Sequence, residues 1–310
     1  MSKNRVWVLG SSNIDFTYNV ERLPLKGQTV TASSYNVGTG GKGANQAIAA
    51  AHFGSNVSFI GAVGNDPEGQ ILLDTLKKWQ IDVEHVIMLD GIKSGNAVIF
   101  VDSDGNNFIS VFPGANQHVP LSLIENITFN QGDYLIAQLE VNLDIIERSF
   151  LTAKRNNAIT VLNVSPYKKL SNALIQNTDI ILLNETEALE MTNVSVSDAV
   201  TAKESALRLI KNGIPSVIIT LGGLGVVLSN TEKSIYFPGH KVKVVDTQGA
   251  GDAFLGTLIS KLGEGRGIEE SVSVANYIAS ISVTKMGSTQ ICLPDLNNID
   301  LNYNKHYSVL

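Results

Sequence analysis

The sequence contains Asp246-Thr247-Gln248-Gly249-Ala250-Gly251-Asp252 between an apolar run ending in Val244-Val245 and a second apolar run at 253–259. This order predicts a strand, a glycine turn and the start of a buried helix. Free N–H groups and the helix dipole favour an anion at such a start, and glycines let it approach the backbone. Asp252 then has two interpretations. It stabilises the helix start, or it takes a proton from a hydroxyl beside a phosphate in transfer.

The composition limits the class of protein. The chain has 310 residues, of which 44% are hydrophobic, so it can bury a large core, and no apolar run approaches the ~20 residues of a membrane span. With 23 basic and 29 acidic residues the net charge is −6, so neither nucleic acid nor membrane is an expected partner. Cys292 is the only cysteine and no signal peptide is visible, which predicts a cytoplasmic protein.

Short apolar runs alternate with helical patterns along the chain. This alternation predicts a doubly wound α/β fold, with a mainly parallel sheet flanked by helices in a single domain over residues 1–310. The predicted strands are 6–9, 57–60, 134–137, 159–162, 180–183 and 217–220, followed by a hairpin of 226–228 and 235–237. The predicted helices are 44–53, 67–79, 143–154, 200–211, 252–262 and 269–284.

Polar clusters follow several of the predicted strands. They begin at Gly10, Gln138, Asn184, Thr220 and Asp246. In open α/β sheets, ligands bind beyond the carboxyl ends of the strands. We therefore expect the clusters to converge on one site.

Two segments, at about 16–37 and 94–113, interrupt the α/β pattern. Turn residues at 102–106 separate the runs 96–101 and 107–112, which predicts a hairpin. Because residues 97–101 are apolar on both faces, both faces need cover. We expect a small β-sheet lid that closes over a ligand and packs on a second subunit. The alternative is that the hairpin extends the main sheet.

Glycines at 38, 40 and 43 match the spacing of a dinucleotide fingerprint. The preceding residues 31–36 are too polar for the buried strand that this fingerprint requires. What remains is a glycine-rich turn with Lys42 and Asn45. Together with Asn13 as a donor and Asp15 as an acceptor, it suits a ligand with many hydroxyl groups.

Asn184 and Glu187 follow the apolar run 180–183. Their oxygen atoms suit Mg²⁺, which keeps several waters and few protein ligands. Capping of a helix explains the same pattern equally well. The five histidines are scattered, so no zinc site is predicted.

Taken together, these residues resemble the ribokinase branch of the PfkB carbohydrate kinase family. The resemblance covers residues 6 to about 294. Its early signature is Gly40-Gly41-Lys42-Gly43-Ala44-Asn45-Gln46-Ala47, and its late one is the Asp246–Asp252 stretch quoted above. Asn184-Glu185-Thr186-Glu187 and Gln138-Leu139-Glu140 lie between them. The resemblance implies a doubly wound α/β domain with a β-lid, clasped to a second lid in a homodimer.

The resemblance also implies a role for each matching residue. Asp252 would be the base, and the sugar would be held by Asn13, Asp15, Gly41, Lys42, Asn45 and Glu140. The N–H groups of Gly249, Ala250 and Gly251 would form an anion hole. ATP would contact Asn184, Thr220, Gly222, Gly225, Gly251 and Asn276, and Glu187 would order Mg²⁺ through water. A monovalent cation, K⁺, would bind the Asp246 side chain and the carbonyls of Gln248, Ser282, Lys285 and Gly287.

The activity implied is ATP-dependent phosphorylation of D-ribose at its 5-hydroxyl. Alternatives are a kinase for deoxyribose or a nucleoside, and a sugar-binding regulator without catalysis. Asn13 favours ribose because its amide can bond the 2-hydroxyl. Two departures from the family pattern are Tyr167, where the family usually has Ala, and Gln248, which replaces a common Thr.

Overall fold

The computed structural model describes residues 4–285, 293–294 and 307–310. Its strands are, in chain order, β1 (Arg5–Leu9), β2 (Asn13–Val20), β3 (Ala32–Gly40), β4 (Asn56–Gly64), β5 (Asp82–Leu89), β6 (Gly95–Val101), β7 (Asn107–Phe112), β8 (Tyr134–Gln138), β9 (Ile159–Asn163), β10 (Ile180–Leu183), β11 (Ser216–Thr220), β12 (Gly225–Asn230), β13 (Ser234–Pro238) and β14 (Ser308–Val309). Its helices are α1 (Lys42–His52), α2 (Pro67–Lys78), α3 (Leu121–Glu125), α4 (Leu143–Arg155), α5 (Asn172–Gln176), α6 (Glu185–Thr192), α7 (Ala199–Lys211), α8 (Ala250–Gly263) and α9 (Ile268–Ser282).

The larger sheet has the order β14-β13-β12-β11-β10-β9-β8-β1-β4-β5. Parallel pairing joins the neighbours in the part of this sheet formed by β11, β10, β9, β8, β1, β4 and β5. Strands β12, β13 and β14 continue the sheet in antiparallel pairing. Every predicted strand of the α/β pattern up to Phe237 lies within an observed strand of this sheet. The predicted doubly wound, mainly parallel fold is confirmed.

Helices cover both faces of the large sheet because its central strands are apolar on both sides. Trp7 and Leu9 of β1 pack in one hydrophobic cluster with Phe150 of α4. Val6 and Val8 point the other way, into a cluster with Phe254 of α8. Side chains alternate across a strand, so a strand buried on both faces must be apolar throughout.

Helices α1 and α8 pack in unusually close contact. A Cβ atom added to Gly256 would lie 2.3 Å from the Cβ of Ala49 and 2.7 Å from the carbonyl oxygen of Gln46. Only a glycine permits this approach, because any side chain would separate the two helices. The contact keeps α8 close enough to α1 for Asn45 and Gln46 to reach Asp252.

A separate sheet of four strands has the order β3-β2-β6-β7. Strand β2 pairs antiparallel with β3 and parallel with β6, and β6 and β7 form the predicted hairpin. The hairpin therefore does not extend the large sheet. Strand β2 begins at Asn13 and β3 ends at Gly40, so the small sheet reaches further towards α1 than the predicted segment at 16–37.

The prediction of a strand before Asp246 is wrong. Residues 241–245 form no strand, and the side chains of Val242, Val244 and Val245 are exposed by 38%, 57% and 48%. Val242 and Val244 face a cavity instead of the core, which accounts for their apolar character without a sheet. No helix in the described ranges has the length and apolar character needed to cross a membrane.

Candidate active site

A cavity of about 770 Å³ opens beyond the carboxyl ends of β10 and β11, a size that fits a small-molecule ligand. Three of the five predicted polar clusters contribute directly to its wall. The predicted site residues that line it are Lys42, Asn184, Glu187, Thr220, Gly222, Gly225, Gly249, Ala250, Gly251, Asp252 and Asn276. The other two clusters adjoin this cavity through Lys42 and Asp252.

Asp252 lies in the first turn of α8, but its carboxylate caps no N–H group of that helix. It accepts hydrogen bonds from two amides of α1 instead. Asn45 Nδ2 donates to Oδ2 at 3.1 Å, and Gln46 Nε2 donates to Oδ1 at 2.8 Å. The carboxylate is therefore held between two helices at the cavity wall, which is more than stabilisation of a helix start requires.

Burial raises the pKa of Asp252 above its ordinary value, and the charge of Glu140 adds to the rise. Lys42 and the amides of Gln46 and Asn45 act in the opposite direction, because they stabilise the ionised form. Burial lowers the pKa of the Lys42 ammonium, but Asp252, Glu140 and Glu187 together raise it above its ordinary value. Lys42 thus stays charged, and Asp252 is a stronger base than an exposed aspartate.

A fully buried pair of glutamines supports Asp252 from behind. Gln138 Nε2 donates to Gln46 Oε1 at 2.6 Å, and Gln46 in turn donates to Asp252. Sequence reasoning assigned neither glutamine a role, although both lie in quoted motifs. Their amides form a chain in which each one orients the next.

Asp15, Glu140 and Asn13 form a polar group next to the first turn of α1. Asp15 projects over Gly40 of the paired strand β3, where an added Cβ would lie 2.0 Å from Asp15 Oδ2. Burial, with a contribution from the charge of Glu140, raises the pKa of Asp15 to about 7. Glu140 accepts hydrogen bonds from the Lys42 N–H at 3.2 Å and from the Ser11 hydroxyl.

Gly41 is the residue that lets the chain turn from β3 into α1. Its φ angle is +91°, and an added Cβ would lie 2.9 Å from both the Ser11 carbonyl oxygen and the Ser12 Cα. A side chain is excluded there by both conformation and space. The turn places Lys42 between Asp252 and Glu140.

Asn184 and Glu187 form a complete capping box at the start of α6. The Glu187 N–H donates to Asn184 Oδ1, and the Asn184 N–H donates to Glu187 Oε2, both at 2.9 Å. The capping interpretation is confirmed, and both residues also line the cavity. Burial raises the pKa of Glu187, while Asn184, Ser165 and Lys42 oppose that rise.

The other residues predicted for ATP line the same cavity. Thr220 donates to the Leu183 carbonyl at 3.3 Å, and Asn276 Nδ2 donates to the Pro238 carbonyl at 2.9 Å. Gly222 and Gly225 flank a short turn after β11 with positive φ angles of 50° and 115°. Residues from α9, β11 and the β11–β12 turn therefore line the same cavity.

The glycine tip of α8 consists of Gly249, Ala250 and Gly251. Two of its three predicted N–H groups are available to a ligand. The Ala250 N–H already donates to the Thr247 carbonyl at 3.3 Å. Those of Gly249 and Gly251 have no acceptor among residues 4–285. A Cβ added to Gly251 would meet nothing within 4 Å, so the tip has open space beside it.

The residues predicted for the monovalent cation lie on two adjacent segments. The N–H groups of Val245 and Asp246 donate to the Val283 carbonyl at 2.8 and 3.2 Å, which joins the loop before α8 to the end of α9. Asp246 Oδ1 accepts from the Gln248 N–H at 2.9 Å. Ser282 and Lys285 flank Val283, whereas Gly287 lies outside the described residues. The structure thus brings two oxygen-bearing segments together beside the glycine tip.

Comparison with known proteins supplies the family. The model of the pfkB family of carbohydrate kinases matches residues 3–296. The chain belongs to this family. A ribokinase of Haemophilus influenzae is 37% identical over 91% of this chain and 92% of its own length. A deoxyribokinase of Salmonella typhi is 29% identical over 94% of this chain and 96% of its own length.

A solved structure extends the likeness of this pfkB-family chain to a liganded protein. The ribokinase of Arabidopsis thaliana, complexed with ribose and ATP, superposes with a TM-score of 0.85 at 28% identity, over 95% of this chain and 96% of that one. Its fold is the one described above.

Proposed function

We propose that this pfkB-family protein phosphorylates the 5-hydroxyl of D-ribose with ATP. One observation carries the proposal. A single cavity joins the buried base Asp252, the ammonium of Lys42 and the open glycine tip of α8 to the wall that contains Asn184 and Asn276. The similarity to ribokinases, one of them solved in complex with ribose and ATP, supports these two molecules as the substrates.

Asp252 takes the proton of the 5-hydroxyl as that oxygen bonds to the terminal phosphorus of ATP. The bond from this phosphorus to its bridging oxygen breaks, and ADP leaves. Its raised pKa brings the carboxylate closer to the operating pH, where a general base is most effective. Preorganised donors stabilise the charge that develops on the moving phosphoryl group. The N–H groups of Gly249 and Gly251 are such donors, with the positive end of the α8 dipole behind them.

The sugar occupies the side of Asp252 that faces the small sheet. Carboxylates accept from hydroxyl groups, and amides and ammonium groups donate to them. The residues we assign to the sugar are Asn13, Asp15, Gly41, Lys42, Asn45 and Glu140. The nucleotide occupies the opposite wall, where we assign Asn184, Thr220, Gly222, Gly225, Gly251 and Asn276.

Glu187 is suited to hold Mg²⁺ through water, because one of its oxygens is fixed by the capping box beside the cavity. Bound Mg²⁺ supplies charge neutralisation on the phosphates. Among the described residues, no cluster of three or more His, Cys, Asp or Glu side chains forms a metal site, which fits an ion held mainly by phosphate and water. Asp246, Gln248, Ser282, Lys285 and Gly287 are our candidates for K⁺.

The small sheet acts as a lid and as a dimer contact in this proposal. Its residues Tyr35, Phe108 and Phe112 are exposed by 57%, 60% and 52%. Apolar side chains clustered on one small sheet indicate a surface that another molecule covers. A second copy of the chain is the partner we assign to it, and the cytoplasm remains the predicted location.

An ADP-release assay over a panel of pentoses, hexoses and nucleosides tests the proposed function. We expect the highest kcat/KM with D-ribose, and a higher value with 2-deoxyribose would favour the deoxyribokinase alternative that the Salmonella typhi relative raises. If no sugar in the panel causes ADP release, the result would instead favour a sugar-binding regulator. Asp252→Asn should lower kcat by about 10²–10⁴, the range typical of a general base. Near-normal turnover of this variant would remove Asp252 from the mechanism.

A further inference from the structure

A short 3-10 turn, Gly114–His118, carries a buried asparagine to the proposed sugar site. Asn116 is 1% exposed and has no role in the assignments above. Its Oδ1 accepts from the Ser12 N–H at 3.0 Å, and its Nδ2 donates to Asn13 Oδ1 at 2.8 Å and to the Ser12 carbonyl at 3.4 Å. Asn116 therefore links the backbone beside β2 to the side chain of Asn13.

The direction of these hydrogen bonds is fixed by chemistry. The Ser12 N–H can only donate, so Asn116 must present its oxygen there and its NH₂ group to Asn13. Asn13 must therefore accept this hydrogen bond with its own Oδ1. Its Nδ2 is thereby left as the polar atom available to a ligand, and no described residue accepts a hydrogen bond from it. A backbone group thus determines which end of the Asn13 amide faces the site.

A sugar hydroxyl next to Asp15 needs this orientation. Asp15 lies two residues after Asn13 in β2, so the two side chains share one face of the strand. A hydroxyl has one proton, and when it donates that proton to a carboxylate its other contact must come from a donor. The Asn13 NH₂ group supplies such a donor, whereas its oxygen would compete with Asp15 for the same proton.

We propose that Asn116 is a positioning residue that holds the Asn13 NH₂ group towards the sugar and so sets the preference for ribose over 2-deoxyribose. This inference rests on the proposed function and deepens it. Ribose offers a 2-hydroxyl as the acceptor, and 2-deoxyribose does not. An Asn13 side chain that is free to turn discriminates less between the two sugars.

Gly95 offers a second way to perturb the hydrogen bond between Asn13 and Asn116. It lies opposite Asn13 in the β2–β6 pairing, and an added Cβ would lie 2.2 Å from Asn116 Nδ2 and 2.4 Å from Asn13 Oδ1. Gly95→Ala must therefore displace one or both amides without removing either. Gly267→Ala is a matched control, because an added Cβ there meets nothing within 4 Å and φ is −63°.

The test compares kcat/KM for D-ribose and 2-deoxy-D-ribose in the wild-type protein and its variants. Asn116→Leu removes all three hydrogen bonds of the side chain. Asn116→Asp keeps the acceptor for Ser12 but reverses Asn13, which turns its NH₂ group towards the new carboxylate. We expect the ribose-to-deoxyribose ratio to fall about 5- to 50-fold in both, the range for a lost hydrogen bond to substrate. Most of the fall should come from ribose, with 2-deoxyribose changing less than about threefold.

Gly95→Ala should reduce the ratio in the same direction, and Gly267→Ala should leave it unchanged. An equal loss on both sugars would show that Asn116 serves only the fold and would overturn the proposal. An unchanged ratio would overturn it too. Cooperative urea unfolding of each variant verifies folding, and Gly95→Ala decides the question if the Asn116 variants do not fold.

Different results refute the proposed function and the role of Asn116. If the wild-type protein phosphorylates neither sugar, the proposed function is wrong and this inference falls with it. If the wild-type protein prefers ribose and every folded variant keeps that preference, the function stands and the role of Asn116 is wrong.

Discussion

Asp15→Asn should make the ligand-free protein more stable relative to wild type as the pH rises. Burial, with a contribution from the charge of Glu140, raises the pKa of Asp15 from 3.8 to about 7 in the folded protein. The folded state then binds a proton that the unfolded state releases over the intervening pH range. The contribution of the protonated Asp15 to stability is complete below pH 3.8 and is lost as the pH rises through 7.

The magnitude follows from about 1.36 kcal/mol for each pH unit between the two pKa values. From pH 5 to pH 8, the wild-type protein loses stability over about two of those units, or at most about 2.7 kcal/mol. Because Asp15 is partly accessible and its charge is coupled to that of Glu140, we expect about 1–2.5 kcal/mol. The asparagine variant carries no charge at this position and escapes the loss.

Urea unfolding at pH 5 and pH 8, without sugar or nucleotide, measures this difference. The free energy of unfolding of Asp15→Asn minus that of wild type should increase by about 1–2.5 kcal/mol between the two pH values. Asp104→Asn, in the exposed turn between β6 and β7, controls for the loss of one negative charge. A difference that is the same at both pH values would refute the raised pKa of Asp15 in the folded protein.

Gln46, Phe108 and the residues assigned to K⁺ can each be tested separately. Gln46→Met removes a hydrogen bond that lowers the pKa of Asp252, so this pKa should rise. The acidic limb of the plot of kcat/KM against pH should therefore move to higher pH. An unmoved limb would mean that Gln46 does not tune the base. Phe108→Glu should convert a homodimer into a monomer in sedimentation velocity at micromolar concentration, and a wild-type protein that is already monomeric there would disprove the dimer. Replacement of K⁺ by Na⁺ should lower the rate of ADP release, and equal rates in the two salts would reject the monovalent-cation site.

The central sheet was predictable from sequence because its strands carry an unambiguous pattern. The four residues Ile180–Leu183 are all apolar and all buried, which in so short a run indicates a strand covered on both faces. Polar residues at the end of such strands or directly after them then mark the ligand edge of the sheet. Asn184 and Thr220 lie in the cavity wall for this reason.

Residues 241–245 show where the same reasoning is wrong. Val242 and Val244 alternate with lysines, and this period is that of a strand. In the folded protein both valines line the cavity. A hydrophobic pattern records that a residue avoids water but does not tell whether protein or ligand covers it.

The edge strand β5 and the short helix α6 were not predicted either. The pairing of β5 with β4 is not local, and the half-exposed residues Asp82–Leu89 mix charged and apolar types. Helix α6 has only the eight residues Glu185–Thr192, and its capping box left helix start and metal site as equal alternatives. Short or edge elements are decided by tertiary contacts that the local sequence does not show.

The amides around Asp252 and Asn13 lay beyond sequence reasoning for a different reason. Gln138 and Gln46 are 92 residues apart, and Gln46 and Asp252 are 206 apart. A glutamine in a motif indicates a polar contact but not its partner or its direction. Those are fixed only when the close packing of α1 on α8 puts the groups in reach.

The charge distribution of the site gives a physical reason for cations in the proposed reaction. Three carboxylates, those of Asp252, Glu140 and Glu187, act electrostatically on the ammonium of Lys42, and all three are near it before any substrate binds. A triphosphate would add several negative charges beside Asp252 and Glu187. The dipoles at the starts of α1 and α8 contribute only about half a positive charge each. Lys42, the cavity-lining Lys241 and two helix ends therefore still leave a deficit of positive charge, which Mg²⁺ on the phosphates and a monovalent cation by Asp246 would offset.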